Sequence, residues 1–448
     1  MVNDMRKNLK QVIAEWKVFE LPEMVERDTG ISLEGKSIVA IVGVRRAGKT
    51  YTMFHLIKEL IKDVGKNNIL YVDFENPRLA GMNASTLNEL LVVFKEMMAP
   101  DKNRRIYLFL DEIQNVEGWE RWVRILHNKG NYKIIISGSS ATLLSREIAT
   151  SLRGRSINFE IYPFSFKEFL RIKNFSYDLD VIKYTEEKGD ILRYLNEYIN
   201  YGGFPEVVLS PEELKRKLLT SYFETIFHRD ILERYRIRNI SLMENFLLYL
   251  LNNNSKYISL GKIERFFKSM GMKVSKKTLG EYLKYAGDVF FVFTIEIFSH
   301  KIKDRLQYPR KIYSIDTGIV NTISPESKEN RGRLYENIVF LHLHREKQKH
   351  PGMGIYYWKD REGREVDFVI TDGLKPQKLI QVSLDVSSPD TMKRETRALL
   401  KAMKEFDLKE GLIITEDYSG EEQNKGRHIK FIPLYEWLLL KTEWHKQS

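Results

Sequence analysis

The chain contains no cysteine, which excludes disulfides, zinc sites built on cysteine and any thiol nucleophile. It lacks an apolar run long enough to span a membrane, and its first residues, MVNDMRKNLKQVIAEW, carry no signal-type hydrophobic stretch. Internal repeats, low-complexity segments and acidic tails are absent too, and the nine histidines show no metal-ligand spacing. His342 and His344 stand two apart on an expected helix and so do not face together. No Ser/His/Asp grouping suggests a nucleophilic triad. These absences predict a soluble, cytoplasmic protein with no membrane partner.

What the chain does have is bulk and charge. Its 448 residues are about three domains' worth, and at 43% hydrophobic and 12% aromatic it can build several cores. The net charge is +11, from 72 Lys and Arg against 61 Asp and Glu. Such an excess suits a polyanionic partner such as nucleic acid. Because the acids are interspersed among the bases, a charge-rich surface without such a partner accounts for it equally well.

The stretch Ile38–Thr50, IVAIVGVRRAGKT, predicts a buried strand running into a full G-x-x-x-x-G-K-[ST] motif. The glycines let backbone N–H groups curl around a polyphosphate, Lys49 reaches its β- and γ-phosphates, and the Thr50 hydroxyl offers a Mg²⁺ ligand. The expected binding loop is Gly43, Val44, Arg45, Arg46, Ala47, Gly48, Lys49, Thr50 and Tyr51. It opens an amphipathic helix over Thr50–Asp63, whose N-terminal dipole points at the anion.

Around this loop the residues 37–165 alternate apolar strands and helices. Strands are expected at Asn68–Phe74, Arg105–Leu110 and Tyr132–Ser137, and helices at Ser85–Met98 and Trp119–Lys129. Continuous apolar strands separated by helices indicate a doubly wound parallel sheet. Asp111 and Glu112 follow the third strand, at the carboxyl end where such sheets bind ligands. Asp111 is assigned to Mg²⁺ and Glu112 to activation of the attacking water. After the next strand, Ser139 is the candidate for sensing a γ-phosphate, with a cap on a helix starting near Thr142 as the other reading. Of Arg153 and Arg155, Arg155 is the candidate arginine finger toward a neighbouring subunit's nucleotide, against a plain surface arginine. The preceding residues, 1–36, carry Leu9, Val12, Ile13 and Trp16 at helical spacing and are expected to pack on this core. Arg6, Lys7 and Lys10 there read as a solvated face rather than as phosphate ligands.

Taken together, GVRRAGKT, YLFLDEIQNVEGWE, IIISGSSATLL and LRGRSINFEIYPFSFKEFL resemble the archaeal and bacterial ATPases of the AAA+ superfamily with an ASCE-type P-loop core. YGGFPE at Tyr201–Glu206 and FETIFHRDILERYRIRN at Phe223–Asn239 resemble the helical lid of that family, and so assign residues 166–240, helical by periodicity, to a lid. The resemblance implies a five-stranded parallel core, ATP rather than GTP as the nucleotide, and a homo-oligomer.

Residues 241–329 suit a winged helix. Helices are expected at Ser241–Leu251, Leu260–Ser269 and Thr278–Ala286, and the wing strands at Val289–Ile297 and Lys311–Ile315. Ser275, Lys276, Lys277 and Thr278 stand where a recognition helix enters the major groove of double-stranded DNA. Lys301, Lys303, Arg305, Arg310 and Lys311 would form a basic wing on its phosphates. The other use of such a fold is packing or protein contact.

Residues 330–448 predict a last α/β domain. A helix over Arg333–Arg345 carries Glu336 on its more polar side, a hairpin carries Asp367, and the strand Leu379–Leu384 carries Gln381. This order resembles the PD-(D/E)XK nuclease fold often fused to such ATPases, whose active members hold a divalent metal at the positions of Glu336, Asp367 and Gln381. Ser383 stands where the family's lysine would be, and Asp385 is a poor replacement for a missing acid, so the resemblance implies a degenerate site. The fold class is therefore an α/β P-loop ATPase core, helical lid, winged helix and nuclease-like α/β domain. The expected function is a Mg²⁺-dependent ATPase associating with DNA. An ATP-gated DNA nuclease and a nucleotide-dependent protein switch remain as alternatives.

Overall fold

The computed structural model describes residues 2–139, 154–182, 184–324, 331–384, 386 and 388–440. The chain divides into two compact units, Met1–Tyr162 with Asp288–Phe290, and Pro163–Gly287 with Phe291–Ser448.

The first unit is built on a five-stranded sheet. Its strands are β1 (Ile38–Val42), β2 (Ile69–Asp73), β3 (Ile106–Asp111), β4 (Tyr132–Gly138) and β5 (Ser156–Glu160), in the order β2-β3-β4-β1-β5. Every pairing is parallel. β1 and β4 are buried along their whole length, as a central strand covered on both faces must be, which is why their sequences read as unbroken apolar runs. Helices α1 (Val2–Val18), α2 (Lys49–Val64), α3 (Ala84–Met98) and α4 (Trp119–Lys129) accompany them. The spacing at Leu9, Val12, Ile13 and Trp16 does what it predicts: all four are buried, and α1 packs on α3 and β2. Such burial stabilises by about 1.5–3 kcal/mol per side chain. Arg6 is held in ion pairs to Glu89 and Glu96.

The second unit is helical through residues 166–252, including a π-helical stretch at Ile226–Glu233. It then folds into a nine-stranded sheet in the order β13-β14-β12-β11-β10-β9-β7-β8-β6. The strands are β6 (Tyr257–Ile258), β7 (Val292–Ile297), β8 (Arg310–Ser314), β9 (Met353–Lys359), β10 (Glu365–Asp372), β11 (Lys375–Val382), β12 (Glu410–Thr415), β13 (Gly420–Asn424) and β14 (Arg427–Pro433). Helices Ile240–Asn252, Leu260–Ser269 and Lys276–Asp288 fall close to their predicted places. The expected wing does not stand apart. β7 pairs in parallel with β9, Glu296 with Tyr356 and Ile297 with Tyr357, so β7 and β8 are strands of the C-terminal sheet. The chain also turns through a left-handed Phe290 (φ 58°) before β7, which shortens the expected strand at its start.

The Tyr201–Glu206 motif is a clasp. Asp316 caps the helix Thr317–Ile323 through Gly318 N and also accepts Gly203 N at 2.8 Å. Gly202 has φ 72°, and a Cβ there would stand 1.9 Å from Asp316 Oδ1. A side chain at Gly318 would strike the Tyr201 carbonyl at 2.2 Å. These glycines are required by close approach, not by a ligand.

The helix Arg331–Lys349 buries both His342 and His344. His342 lies against Trp437, and His344 between Phe293 and Phe340. Burial lowers their pKa values to about 4 and about 3. The unfolded chain therefore takes up protons below its ordinary value of about 6.5 that the folded chain does not. Stability is complete above that pH and falls as pH drops toward 4, by on the order of 3 kcal/mol for each histidine. His344→Phe is expected to remove roughly half of the acid-induced fall in melting temperature between pH 7 and 4. A variant profile parallel to that of the wild type would refute this assignment.

Candidate nucleotide site

β1 ends at Val42 and the loop turns at once into α2. Gly43 has φ 150°, and a Cβ on it would lie 2.1 Å from the carbonyl oxygen of Ile161, whose N–H bonds to Val42 O at 2.7 Å. Only glycine lets the loop leave the sheet so close to the segment after β5. Arg46 (φ 66°) and Gly48 (φ 96°) are left-handed, which curls the loop and leaves α2 starting at Lys49. The first N–H groups of that helix have no partner within it and form the anion-binding end.

Lys49 is 5% exposed. Its ammonium donates to Gly43 O at 3.2 Å and Val44 O at 3.4 Å, and lies 3.5 Å from Glu112 Oε1. Asp111 ends β3 beside it. The Thr50 hydroxyl donates to Asp111 Oδ2 at 2.7 Å, the Tyr71 hydroxyl donates to the same oxygen at 3.0 Å, and Ser137 donates to Oδ1. Ser137 Oγ also accepts the N–H of Glu112 at 2.9 Å. Glu112 has φ 50°, a left-handed turn that sends its carboxylate away from Asp111 and toward Lys49 and Gln114. The structure thus brings the predicted residues Lys49, Thr50, Asp111 and Glu112 together in one cluster.

The two acids differ in their electrostatics. Burial raises the pKa of Asp111, against the opposing effect of the Ser137 and Thr50 hydroxyls. Burial also works against a charged Glu112, but Lys49 and the Gln114 amide together hold its pKa below the ordinary carboxylate value. Glu112 is thus held ionised. Asp73, opposite Asp111 across β2 and β3, is pushed up to about 6 by burial, with the neighbouring Asp111 carboxylate adding to the effect.

The remaining candidates spread out. Ser139 follows β4 and is buried, but it is Ser137, two residues earlier and on the same strand face, that joins the two acids. A strand period of two favoured either serine, and the pairing with β3 decides between them. Arg155 lies at the amino end of β5, where its carbonyl accepts Ile38 N at 2.8 Å, the end of the sheet remote from the loop. A role in hydrolysis would thus fall on a neighbouring copy's nucleotide. Arg153 and the helix expected near Thr142 lie outside the described residues. Arg45 pairs with Glu75 at 3.0 Å, Arg46 is exposed, and Tyr51 is exposed on the first turn of α2.

Two contributors carried no motif. Tyr71 touches Asp111 from β2. Arg27, in the extended segment after α1, donates to Ala47 O in the loop at 3.0 Å and to Tyr162 O at 2.7 Å. Only tertiary packing brings either to the site.

The residues expected to form a degenerate nuclease site, Glu336, Asp367 and Gln381, meet in the second unit together with Lys311. Glu336 and Asp367 face one another across Lys311, whose ammonium is 2.9 Å from Glu336 and 2.7 Å from Asp367. Gln381 Oε1 accepts Asp367 N at 3.0 Å. Lys311 was expected on an exposed basic wing; it is 2% exposed, because β8 is an interior strand and turns this residue to the carboxylates. Arg310 pairs with Glu296 at 3.0 Å. Of the expected wing residues, Lys303 and Arg305 stand on a separate short helix, Ile302–Gln307, and Lys301 is the extended residue that precedes it. Glu336, expected on the polar side of its helix, points inward to Lys311 and Tyr313. Asp385 lies outside the described residues.

The geometry now meets the comparisons with known proteins. An uncharacterized protein of Methanocaldococcus jannaschii is 38% identical over 435 residues, covering 96% of this chain and 94% of that one. An uncharacterized protein of Haemophilus influenzae is 30% identical over 404 residues, covering 90% and 94%. The chain belongs to their family. Within it, residues 35–170 match the AAA domain model, residues 192–330 a domain of unknown function (DUF8612), and residues 331–437 another (DUF4143). The family member described here thus carries an AAA-type P-loop core that binds nucleotide, followed by a sheet-containing C-terminal part. Among solved structures, the Walker-type ATPase of Pyrococcus abyssi aligns with a TM-score of 0.39 and 14% identity over 68% of this chain and 99% of that one. The Orc1 protein of Aeropyrum pernix, in complex with DNA, aligns at 0.28 and 14% over 73% and 93%. No helix among the described residues is long and apolar enough to cross a membrane.

Ser137→Ala removes one of three hydroxyl donors from a buried carboxylate and leaves Glu112 N without its acceptor. The expected result is a loss of about 1–3 kcal/mol in denaturant unfolding of the first unit. Unchanged stability would mean that Ser137 does not hold the pair.

Proposed function

We propose that this AAA-family chain binds ATP with Mg²⁺ and hydrolyses it, and that it associates with double-stranded DNA. The observation that carries the first part is the Thr50–Asp111–Ser137–Glu112 network beside Lys49. The Thr50 hydroxyl and an Asp111 oxygen converge within 2.7 Å at the mouth of the loop, a fit for two neighbouring oxygen ligands of a hard cation. Those two residues would hold Mg²⁺, which supplies charge neutralisation on the phosphates when bound. The loop N–H groups orient the phosphates, and Lys49 turns from the Gly43 and Val44 carbonyls to a γ-phosphate oxygen. Glu112, held ionised by its neighbours, takes a proton from the attacking water. Gln114 fixes the orientation of that carboxylate. Arg155 on a neighbouring copy is the candidate for stabilising transition-state charge.

DNA association is supported by charge placement. Lys273, Lys276 and Lys277 are exposed around the start of the helix Lys276–Asp288, whose Thr278 N–H is capped by Ser275 at 3.1 Å. Lysines and hydroxyls at the first turn of a capped helix suit phosphate and groove contacts. With Lys311 buried and Arg310 paired to Glu296, this helix and the Ile302–Gln307 segment are the basic surfaces offered for the purpose.

Glu112→Gln is expected to keep ATP binding and to lower turnover at least about 100-fold, whereas Lys49→Ala abolishes tight binding. Normal turnover by Glu112→Gln would remove it as the base. For DNA, turnover is measured with and without duplex at two salt concentrations. Stimulation that weakens with salt and is lost in Lys276→Ala/Lys277→Ala is expected. Unchanged turnover in all four conditions, with no duplex binding, would assign the basic helix to a protein partner instead.

A further inference from the structure

The nuclease resemblance implies a divalent metal between Glu336 and Asp367, with Gln381 as the third ligand. The residues present do not fit that group. Lys311 Nζ stands between the two carboxylates at hydrogen-bond distance from both. The other contacts of the cluster are also made by protein donors. Glu336 Oε1 accepts the Tyr313 hydroxyl at 2.6 Å, and Asp367 Oδ2 accepts Val382 N at 2.9 Å. Gln381 spends its oxygen on Asp367 N, and its amide donates to Glu395 Oε2 at 2.7 Å. A cation arriving here would find Glu336 Oε1, both Asp367 oxygens and Gln381 Oε1 engaged, and an ammonium already between the carboxylates. Among the described residues no group of three or more acidic or histidine side chains is placed to hold a metal.

We infer that Lys311 is the resident cation of this pocket, standing where the fold's divalent metal would stand, and that the C-terminal part of the chain is metal-free.

Three further observations bear on this. First, the lysine is fixed. It projects from β8, between β7 and β6 in the sheet, with the Tyr257 ring 5.4 Å from its ammonium. Moving it out would strand an unpaired charge in the interior, and breaking such a pair is far more costly than keeping it. Second, the charge is placed. The ammonium is 2.9 Å from Glu336 and 2.7 Å from Asp367, so a divalent ion would have to enter against a positive charge that both carboxylates already hold. Third, the position is distinct from that of the family's water-activating lysine, two residues beyond Gln381, where Ser383 stands. The positive charge enters from an earlier strand, as a plug.

The test is Mn²⁺ binding to the full chain without nucleotide, followed by the electron paramagnetic resonance signal of free Mn²⁺. Wild type and Asp367→Asn should bind alike, with no site that depends on Asp367. Lys311→Ala should gain one Mn²⁺ site at least tenfold tighter than anything in the wild type, lost again in Lys311→Ala/Asp367→Asn. Added Mn²⁺ should raise the melting temperature of Lys311→Ala and leave that of the wild type unmoved. If Lys311→Ala does not fold, refolding it with Mn²⁺ should restore the native circular dichroism that refolding with EDTA does not. A wild-type site lost in Asp367→Asn would overturn the inference, since the pocket would then hold metal beside its lysine. So would a folded Lys311→Ala that gains no site, or an unfolded one that Mn²⁺ does not rescue.

Discussion

The nucleotide site depends on one buried carboxylate. Asp111 sits at the carboxyl end of β3 with little access to water, where a lone negative charge is costly. Three hydroxyls offset that cost, and each comes from a different element: Thr50 from α2, Tyr71 from β2 and Ser137 from β4. The same three bonds therefore fix the register of the first turn of α2 against three adjacent strands. The neighbouring acid is steered by the backbone. The left-handed conformation at Glu112 turns consecutive carboxylates apart, so that one is held by hydroxyls and the other by an ammonium and an amide. Two adjacent acids with unlike partners are the usual means of giving one a ligand role and the other a proton-transfer role.

This part of the molecule was legible because its information is local. A strand that must be buried on both faces has to be apolar throughout, and a phosphate loop has to put glycine where a Cβ would strike a carbonyl. The helix Trp119–Lys129 agrees with its predicted limits because Gly118 and Gly130 bracket it in left-handed conformations. Even the N-terminal helix announces itself by four apolar residues on one face. What could not be read was which serine after β3 meets the acids, or that Tyr71 and Arg27 reach the site. Those are questions of which strands are neighbours, and the strand order β2-β3-β4-β1-β5 is not written in any single segment.

The second unit shows the same limit more sharply. β7 and β8 have the composition and spacing of a two-stranded wing, and the chain between them is basic. Their place is decided by a parallel pairing to β9, which begins well beyond them in sequence. One consequence is that a run of basic residues mixes three fates: Lys303 exposed, Arg310 in a half-exposed ion pair, Lys311 buried. Sequence clustering sees the charge and not the burial. The Tyr201–Glu206 motif errs in the opposite direction. It has the look of a functional loop, yet its glycines are explained by close neighbours: Asp316 lies 1.9 Å from where a side chain at Gly202 would begin, and the Phe164 carbonyl 2.3 Å from one at Gly203. A glycine motif signals close approach, and only the structure says of what.

Two of the buried lysines, Lys49 and Lys311, are held in contrasting ways. Lys49 is held by two neutral carbonyls at 3.2 and 3.4 Å and by Glu112 at 3.5 Å, all at the long end of the range for such contacts. Under the proposed function, a polyphosphate oxygen would offer a shorter charge-assisted bond than any of these, and the exchange would free Glu112 to meet water. Lys311 has two carboxylates at 2.7 and 2.9 Å, each further held by a protein donor. No incoming ligand improves on that arrangement without leaving a charge behind. The same side chain thus rests on two carbonyls and a more distant carboxylate in one unit and between two close carboxylates in the other, and the difference lies in the partners each fold supplies.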